Sequence, residues 1–226
     1  MTDIVCISDT HTAHKRVVVP DGDILVHAGD FCGRGDPLEV GSFLDWIEDL
    51  PHKVKLVVPG NHDICVYEDE YVRGEFKKSG VVLLIDEEHT DMRSGLTFYG
   101  VPWTPDFFPD NWVFQYSQAG CTPEEIWNKV PPGTDIIISH GPPHGCADQI
   151  IPHVNQHLGS EVMRDCIHDM KDTLLGVICG HIHGGYGHHS YDATDPNAVN
   201  IINAAINTEA YMPTNKPIVW RDVCGK

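Results

Sequence analysis

Short apolar runs alternate with polar and amphipathic stretches along the chain. Each run contains β-branched residues and ends at glycine, proline or a polar residue, which is typical of a buried strand. The runs that predict strands are 3–8, 23–28, 54–58, 81–85, 96–101, 135–139, 174–179, 199–204 and 217–220. The alternation of these runs with helical patterns places the chain in the α/β class. No repeat or linker interrupts it, so a single domain over 1–226 is expected.

Two helix starts can be predicted from capping residues. At 36–39, Asp36 can cap, Pro37 fits the first turn and Glu39 lies three positions after the cap. Thr122-Pro123-Glu124-Glu125 repeats this signature, and further helices are expected at 68–78 and 160–170. The first helix should bury one face, made of Leu38, Phe43, Leu44, Trp46, Ile47 and Leu50.

Polar residues follow five of the predicted strands directly. They are Asp9-Thr10-His11, Gly29-Asp30, Gly60-Asn61-His62-Asp63, Ser139-His140-Gly141 and Gly180-His181-Ile182-His183. Because ligands of α/β folds bind at the carboxyl ends of strands, we expect these groups to converge. If the backbone stays extended after Cys179, His181 and His183 should point the same way.

The converging groups offer the donors of a metal centre. They are Asp9, His11, Asp30, Asn61, His140, His181 and His183. Imidazole with carboxylate and no thiolate suits Mn, Fe, Zn, Ni or Co. These donors exceed what one ion needs, and a bridging carboxylate would let them hold two ions. Paired ions about 3.5–4 Å apart can bind phosphate oxygens and supply hydroxide for in-line attack, which predicts phosphate ester hydrolysis.

Composition limits the classes of partner that the protein is expected to bind. The formal net charge of −18 argues against an extended nucleic-acid surface but allows a small phosphodiester or nucleotide, because metal ions reverse the local field. No apolar run is long enough to span a membrane.

The 8 cysteines form no CxxC pair, which predicts reduced, mostly buried thiols and a cytoplasmic protein. The acidic stretch 86–91 is expected to be solvated charge. Nothing indicates the oligomeric state.

Together the five motifs resemble the calcineurin-like metallophosphoesterase superfamily, in the order that the family has them. The resemblance implies a four-layer sandwich, in which two mixed β-sheets lie between helices. It also implies that Asp30 bridges two ions and that His62 donates a proton to the leaving alkoxide or stabilises charge on the phosphate. The implied ligands are Asp9, His11, Asp30 and His183 for the first ion, and Asn61, His140 and His181 to complete the second.

A narrower resemblance is to the small metallophosphoesterase-domain-containing subfamily. The segments that carry it are 6–11, 27–31, 102–103, 140–143 and 180–187. Its members are similar to cyclic nucleotide phosphodiesterases of low turnover, which implies 3′,5′-cyclic or 2′,3′-cyclic nucleotides as substrates. Some members have Gly in place of the last histidine and are weakened, so His183 implies a competent member.

Two alternatives stay open. One is a broad-specificity metallophosphatase or small-molecule diesterase, and the other, of a different class, is a binding scaffold without catalysis. The complete set of donors favours an enzyme over the scaffold.

One position departs from the wider family, which usually has Asp where this chain has Gly33 and uses it to orient the catalytic histidine. Asp36, Asp63 or a backbone carbonyl could take over that role. Arg34 matches the family's arginine and is expected to contact phosphate.

The aromatic, proline-rich segment 102–121 predicts a rim on which a base could stack, with Trp103 as the binding residue. Packing in the core is the alternative for the same side chains. We expect Asn61 and His62 to contact substrate as well. His144 and the pair His188-His189 are expected at the surface or behind the ligands.

Overall fold

The computed structural model describes residues 1–108, 111–151, 156–191 and 198–225. The strands in these ranges are β1 (Thr2–Ile7), β2 (Ile24–His27), β3 (Val54–Val57), β4 (Val82–Leu83), β5 (Glu87–Thr90), β6 (Thr97–Val101), β7 (Ile136–Ser139), β8 (Gly176–Cys179), β9 (Gly187–Ser190), β10 (Asn200–Asn203) and β11 (Ile218–Val223). The α-helices are α1 (Pro37–Glu48), α2 (Ile64–Glu68), α3 (Glu70–Ser79), α4 (Pro123–Trp127) and α5 (Glu161–Met170).

The described strands form two sheets. The first has the order β11-β1-β2-β3-β4, and the second has the order β5-β6-β7-β8-β10-β9. In the first sheet β11 is antiparallel to β1, and the other neighbours are parallel. In the second sheet β5 and β9 are antiparallel edge strands beside four parallel strands. Both sheets are therefore mixed, as the resemblance implies.

Alternation of side chains along the strands divides the core into layers. In β1, Ile4 and Cys6 face the second sheet, whereas Val5 and Ile7 face α1 and α3. The outer face of the second sheet packs on α4 and α5. Burial of each large apolar side chain contributes about 1.5–3 kcal/mol, so both faces of each sheet are covered. The predicted four-layer sandwich is confirmed.

The start of α1 follows the capping signature. Asp36 Oδ1 accepts the backbone N–H of Leu38 at 2.8 Å, and Glu39 completes the capping box. The apolar face differs in one respect, because Leu38 is 83% exposed and Val40 is buried instead. Val40 shares the spacing of three, four and seven residues with Phe43 and Ile47, and Leu38 lies off that stripe. The helix α4 also begins with the expected capping box, at Thr122.

Some predicted elements have other limits. The helix predicted at 68–78 is present as α3, which begins at Glu70 after Asp69, whose carboxylate accepts the N–H of Tyr71, and the short helix α2 before it was not predicted. The strand predicted at 81–85 is reduced to Val82–Leu83. The acidic stretch contains the edge strand β5, so its interpretation as solvated charge is wrong in part. Asp86 there accepts the indole N–H of Trp103 and the ammonium of Lys129.

The carboxyl ends of β1, β2 and β3 lie side by side in the first sheet, and those of β7 and β8 lie side by side in the second. The two sheets are joined at this edge through Ser8. Its N–H donates to Ala204 at 2.9 Å and its carbonyl accepts from Ile206 at 2.8 Å. The strand ends that carry the polar motifs therefore meet.

None of the described helices is long and apolar enough to cross a membrane. The eight cysteines are free thiols, of which four are buried, so they are less buried than expected.

Candidate metal centre

The chain turns sharply after the strands that carry the predicted ligands. Asp9, His11, Asp30 and His181 all have a left-handed backbone, with φ between 39° and 65°. This conformation is uncommon for residues other than glycine and costs about 1–3 kcal/mol at each position. Hydrogen bonds across the site hold it in place. The N–H of His11 donates to Asp30 O at 3.0 Å, and the N–H of Asp9 donates to Gly29 O at 2.9 Å.

The backbone does not stay extended after β8, so the expectation that His181 and His183 point the same way is wrong. The N–H of His181 donates to both carboxylate oxygens of Asp9, at 3.1 and 3.0 Å, and the chain then enters a short 3-10 turn, His183–Gly185. The two histidines join different groups of donors. His183 lies with Asp9 and His11, and His181 lies with Asp30 and His140.

Asp30 connects the two groups. Its Oδ2 lies 3.8 Å from His11 Nε2 on one side and 3.4 Å from His140 Nε2 on the other. Asn61 joins the second group, because its Oδ1 lies 3.0 Å from His140 Nε2. In each group of three, the possible ligand atoms lie within 4.8 Å of one another. The structure thus brings all seven predicted donors together, and this mixture of imidazole, carboxylate and amide oxygen fits divalent transition metals.

Backbone carbonyls orient three of the histidines. The Nδ1 atoms of His11, His140 and His183 lie 3.3, 2.8 and 3.0 Å from the carbonyl oxygens of Cys32, Ala28 and Thr208. An N–H that donates to a carbonyl from Nδ1 leaves the lone pair of the neutral ring on Nε2. All three Nε2 atoms face the donor groups. This arrangement prepares histidines to bind a metal ion.

His62 is oriented in the same way. Its Nδ1 lies 2.6 Å from Gly33 O, so the residue that lacks a side chain supplies the orienting group through its backbone. The ring stacks on Trp112, with centroids 4.0 Å apart, and Nε2 lies 4.0 Å from Asp30 Oδ2. Of the three candidates for orienting His62, the backbone carbonyl is the one that the structure shows.

Glu39 holds the loop that presents Gly33 O. Its Oε2 accepts the backbone N–H groups of residues 33, 34, 35 and 36, at 3.1 to 3.2 Å. A Cβ at Gly33 would lie 3.0 Å from Glu39 Oε1, so a side chain there would crowd this carboxylate. The capping signature predicts a role for Glu39 only in the capping box at the start of α1. The glutamate in the capping signature could have indicated this role, but its hydrogen bonds to four N–H groups depend on the path of the loop.

Asp63 holds the neighbouring loops instead of orienting His62. It is fully buried, and it accepts the N–H groups of Asp30 and Gly60 on Oδ2, at 2.9 and 2.7 Å, and that of Cys32 on Oδ1, at 2.9 Å. Asn207 has a similar role, because its amide donates to Asp9 O at 2.9 Å. The sequence offered no signal for Asn207, which lies far from Asp9 along the chain.

The electrostatics favour a cation at this site. Burial raises the pKa of Asp9 and lowers that of His183, but their mutual contact outweighs burial. The pKa of Asp9 falls below its ordinary value and that of His183 rises to about 9. Burial is outweighed in the same way for Asp30 and His140, where the pKa of Asp30 lies well below its ordinary value and that of His140 rises to about 9. Burial lowers the pKa of His181 to about 3. Both carboxylates are therefore held ionised in a buried centre.

Glycine is required where the strand ends pack on the ligands. A Cβ at Gly180 would collide with the carboxylate of Asp9, and a Cβ at Gly60 would collide with that of Asp30. These two positions let the backbone approach the donors closely.

A cavity of about 660 Å³ opens beside the donors. Asp30, Asn61, His62, His181 and His183 form part of its lining, and the rest of the lining includes Phe107, Phe108, Trp112, His144, His157 and Tyr211. The cavity lining therefore combines the donor groups, as a metal-binding side, with aromatic and imidazole side chains. Part of the predicted aromatic rim is present, although residues 109–110 lie outside the described ranges.

Two residues predicted to bind substrate lie elsewhere. Trp103 lines a separate cavity with Tyr67 and Phe114, and its indole N–H donates to Asp86 at 3.0 Å. Arg34 is exposed and is not among the lining residues. Trp112, which packs on His62, lies where Trp103 was expected, because the described residues between β6 and α4 that line this cavity are 105–108 and Trp112. His144 also reaches the cavity wall.

The pair His188-His189 lies on the edge strand β9. His188 Nε2 lies 2.9 Å from Asn200 Oδ1, and His189 Nε2 lies 3.0 Å from Gly185 O. Neither histidine belongs to the donor groups.

Comparison with known proteins agrees with this geometry. Residues 2–185 match the family described as calcineurin-like phosphoesterase. Metallophosphoesterase domain-containing protein 1 of Homo sapiens is 34% identical over 96% of this chain and 70% of its own length, as is that of Mus musculus.

Among solved structures, phosphopantetheinyl hydrolase of Mycobacterium tuberculosis matches with a TM-score of 0.58 and 13% identity, over 95% of each chain. A protein of Thermus thermophilus matches with a TM-score of 0.60 and 14% identity, over 89% of this chain and 88% of its own. At these identities the two structures show a shared fold.

Proposed function

The chain belongs to the calcineurin-like phosphoesterase family, whose members are metal-dependent phosphoester hydrolases, and from this premise we propose that it hydrolyses phosphodiesters at a centre for two metal ions. Cyclic nucleotides are the proposed substrates. The observation that carries the proposal is the position of Asp30 between two groups of donors, one with His183 and the other with His181.

The proposed ligands of one ion are Asp9, His11, Asp30 and His183, and those of the other are Asp30, Asn61, His140 and His181. Manganese, iron, zinc, nickel and cobalt all accept this mixture of donors. When bound, such ions polarise phosphate oxygens and lower the pKa of water to about 7, which supplies the nucleophile and the electrostatic stabilisation of hydrolysis.

The protein's own contribution is to place and orient groups around the phosphate. Asp30 has both oxygens engaged, because Oδ1 accepts the N–H of His62 at 2.8 Å while Oδ2 faces His11 and His140. Asn61 and His62 are consecutive in one loop and both line the cavity, so both can contact the same phosphate. The packed loops exclude water from the ligands' outer side, where Asp63 and Asn207 are buried.

His62 is proposed to donate the proton that the leaving oxygen requires. Its Nδ1–H is committed to Gly33 O, so Nε2 is the nitrogen that can carry the second proton into the cavity. Stacking on Trp112 fixes the plane of the ring. A positioned general acid of this kind contributes about 10²- to 10⁴-fold to the rate.

The cavity supports a nucleotide as the substrate. Its volume falls within the range of about 300–1,000 Å³ that is typical of small-molecule sites. Phe107 lies next to the centre, with its ring 4.8 Å from that of His181, and the ring of Tyr211 is 5.0 Å from that of His11. These rings offer faces on which a base can stack.

The experiment measures hydrolysis of bis-p-nitrophenyl phosphate, a diester, and p-nitrophenyl phosphate, a monoester, by the protein loaded with Mn²⁺. We expect a higher kcat/KM for the diester, and turnover of 3′,5′-cyclic or 2′,3′-cyclic nucleotides. Preference for the monoester would support the broad-specificity phosphatase instead. No hydrolysis of either ester with any of the five metals would support the binding scaffold.

A further inference from the structure

A second histidine with a fixed orientation lines the cavity, away from the proposed ligands. His157 Nδ1 lies 2.7 Å from Asp148 Oδ1, and the Asp148 side chain is 1% exposed. The imidazole itself is 28% exposed and forms part of the cavity wall with His144 and Glu161. A histidine held by a buried carboxylate beside a substrate cavity is the arrangement in which one ring nitrogen is fixed so that the other can act on a ligand.

Asp148 is held by more than His157. Its Oδ2 accepts the backbone N–H groups of Gly145 and Gly159, both at 3.0 Å, and its carbonyl accepts that of Leu158 at 3.2 Å. Oδ1 is then the oxygen directed at His157. The carboxylate of Asp148 therefore fixes two loops and the plane of the His157 imidazole together. The ring of His144 packs beside that of His157, with the two centroids 5.2 Å apart.

The hydrogen bond to Asp148 decides what His157 can offer a ligand. With the proton on Nδ1, the neutral ring has an acceptor lone pair on Nε2. Among the residues that the structure describes, Nε2 has no partner, and His157 belongs to none of the three-donor groups that could hold a metal ion. An acceptor is repelled by phosphate oxygens but suits the O–H and N–H groups of a sugar or a base.

We propose that His157 recognises the organic part of the substrate, accepting a hydrogen bond on Nε2 from a hydroxyl or N–H group. Asp148 is the positioning residue that fixes its ring. The inference rests on the proposed phosphodiesterase function and extends it, because it assigns selection between diesters to a part of the cavity lining outside the donor groups.

Two diesters with the same leaving group test this contact. The p-nitrophenyl ester of thymidine 5′-monophosphate carries a hydroxyl and an imide N–H, whereas bis-p-nitrophenyl phosphate has no hydrogen-bond donor on its organic groups. His157→Asn keeps an amide N–H near the position of Nδ1 to pair with Asp148, but it removes Nε2. His157→Ala removes both, and His168→Asn, at an exposed position of α5, is the matched control.

We expect His157→Asn to lower kcat/KM for the thymidine ester about tenfold, mainly through KM, and to leave bis-p-nitrophenyl phosphate within about twofold. His168→Asn should change neither. The wild-type protein should prefer the thymidine ester to bis-p-nitrophenyl phosphate. His157→Gln should keep part of this preference, because its amide oxygen can reach the position of Nε2. This variant decides the question if His157→Asn does not fold.

Each other outcome has a distinct meaning. If His157→Asn matches the wild type on both esters, or loses activity on both equally, the substrate contact is overturned and His157 only pairs with Asp148. A glutamine variant no better than alanine would overturn it as well. If the wild-type protein hydrolyses neither ester, the proposed function fails, and the contact fails with it.

Discussion

The two sides of the cavity orient their histidines by different means. On the metal-binding side, His11, His62, His140 and His183 each hold Nδ1 against a backbone carbonyl. Elsewhere in the cavity lining, His157 holds Nδ1 against the carboxylate of Asp148. A carbonyl belongs to the backbone and cannot be removed by substitution, whereas a carboxylate can be exchanged. We therefore expect the proposed catalytic centre to be fixed and the proposed specificity contact at His157 to be open to change.

Asp30→Asn should cause the largest loss, because it weakens the donor that the two groups share. We expect kcat for bis-p-nitrophenyl phosphate to fall about a thousandfold or more, since metal ions contribute several kcal/mol to such reactions. Metal content, measured by mass spectrometry of the dialysed protein, should fall too. Full activity with full metal content would contradict the role of Asp30 and remove the contrast between the two sides.

His62→Ala should come next, and its effect should depend on the leaving group. For a cyclic nucleotide, whose leaving oxygen is a poor one, we expect a loss of about 10²-fold or more in kcat. For bis-p-nitrophenyl phosphate the loss should be much smaller, because p-nitrophenolate leaves without a proton. Equal losses on both substrates, compared at saturating concentration, would mean that His62 positions the phosphate and is not the acid.

Substitutions at Trp112 and Trp103 distinguish aromatic side chains that bind substrate from those that only pack. Trp112→Leu should raise KM for a cyclic nucleotide about fivefold or more, because it removes a ring that lines the cavity and supports His62. Trp103→Leu is the matched change outside the cavity, and it should leave KM unchanged. A larger effect at Trp103 would restore the base-stacking role that the sequence suggested for it.

Glu39→Gln should have the smallest effect on catalysis. It weakens the acceptor of four N–H groups that holds Gly33 O towards His62, so we expect kcat for a cyclic nucleotide to fall about threefold to tenfold with KM unchanged. Glu125→Gln makes the same change in the capping box of α4, away from the site. Both variants should lose about 1 kcal/mol or less in stability, measured by urea unfolding, but only Glu39→Gln should lower kcat. If Glu39→Gln and Glu125→Gln have equal kcat values, Glu39 has a structural role alone.

Much of the metal-binding side could be predicted from the sequence because each donor directly follows a buried strand. The parallel strands of the two sheets then bring Asp9, Asp30, Asn61, His140 and His181 to one edge without further information. The division between His181 and His183 could be inferred only from the count of donors and the family resemblance. The left-handed backbone at His181, which carries out that division, depends on its hydrogen bonds to Asp9, far away in the sequence.

The rest of the cavity lining could not be predicted in the same way. Its described residues come from irregular segments, such as 105–108, 111–112, 144–151 and 156–160, whose paths are set by tertiary contacts and not by a periodic pattern. The clustering of aromatics indicated a rim but did not say that Trp112 would face the site and Trp103 would not. The pairing of His157 with Asp148 depends on how one such loop closes. The extent of the single domain and the cytoplasmic location remain predictions.

In the proposed centre Asp30 joins two metal ions, each with one histidine of the pair His181 and His183. A crystal structure of the Mn²⁺-loaded protein, with anomalous diffraction to locate the metal, tests it most directly. We expect two anomalous peaks about 3.5–4 Å apart, with Asp30 between them, His183 on one ion and His181 on the other. A single peak, or one ion bound by both histidines, would contradict the account.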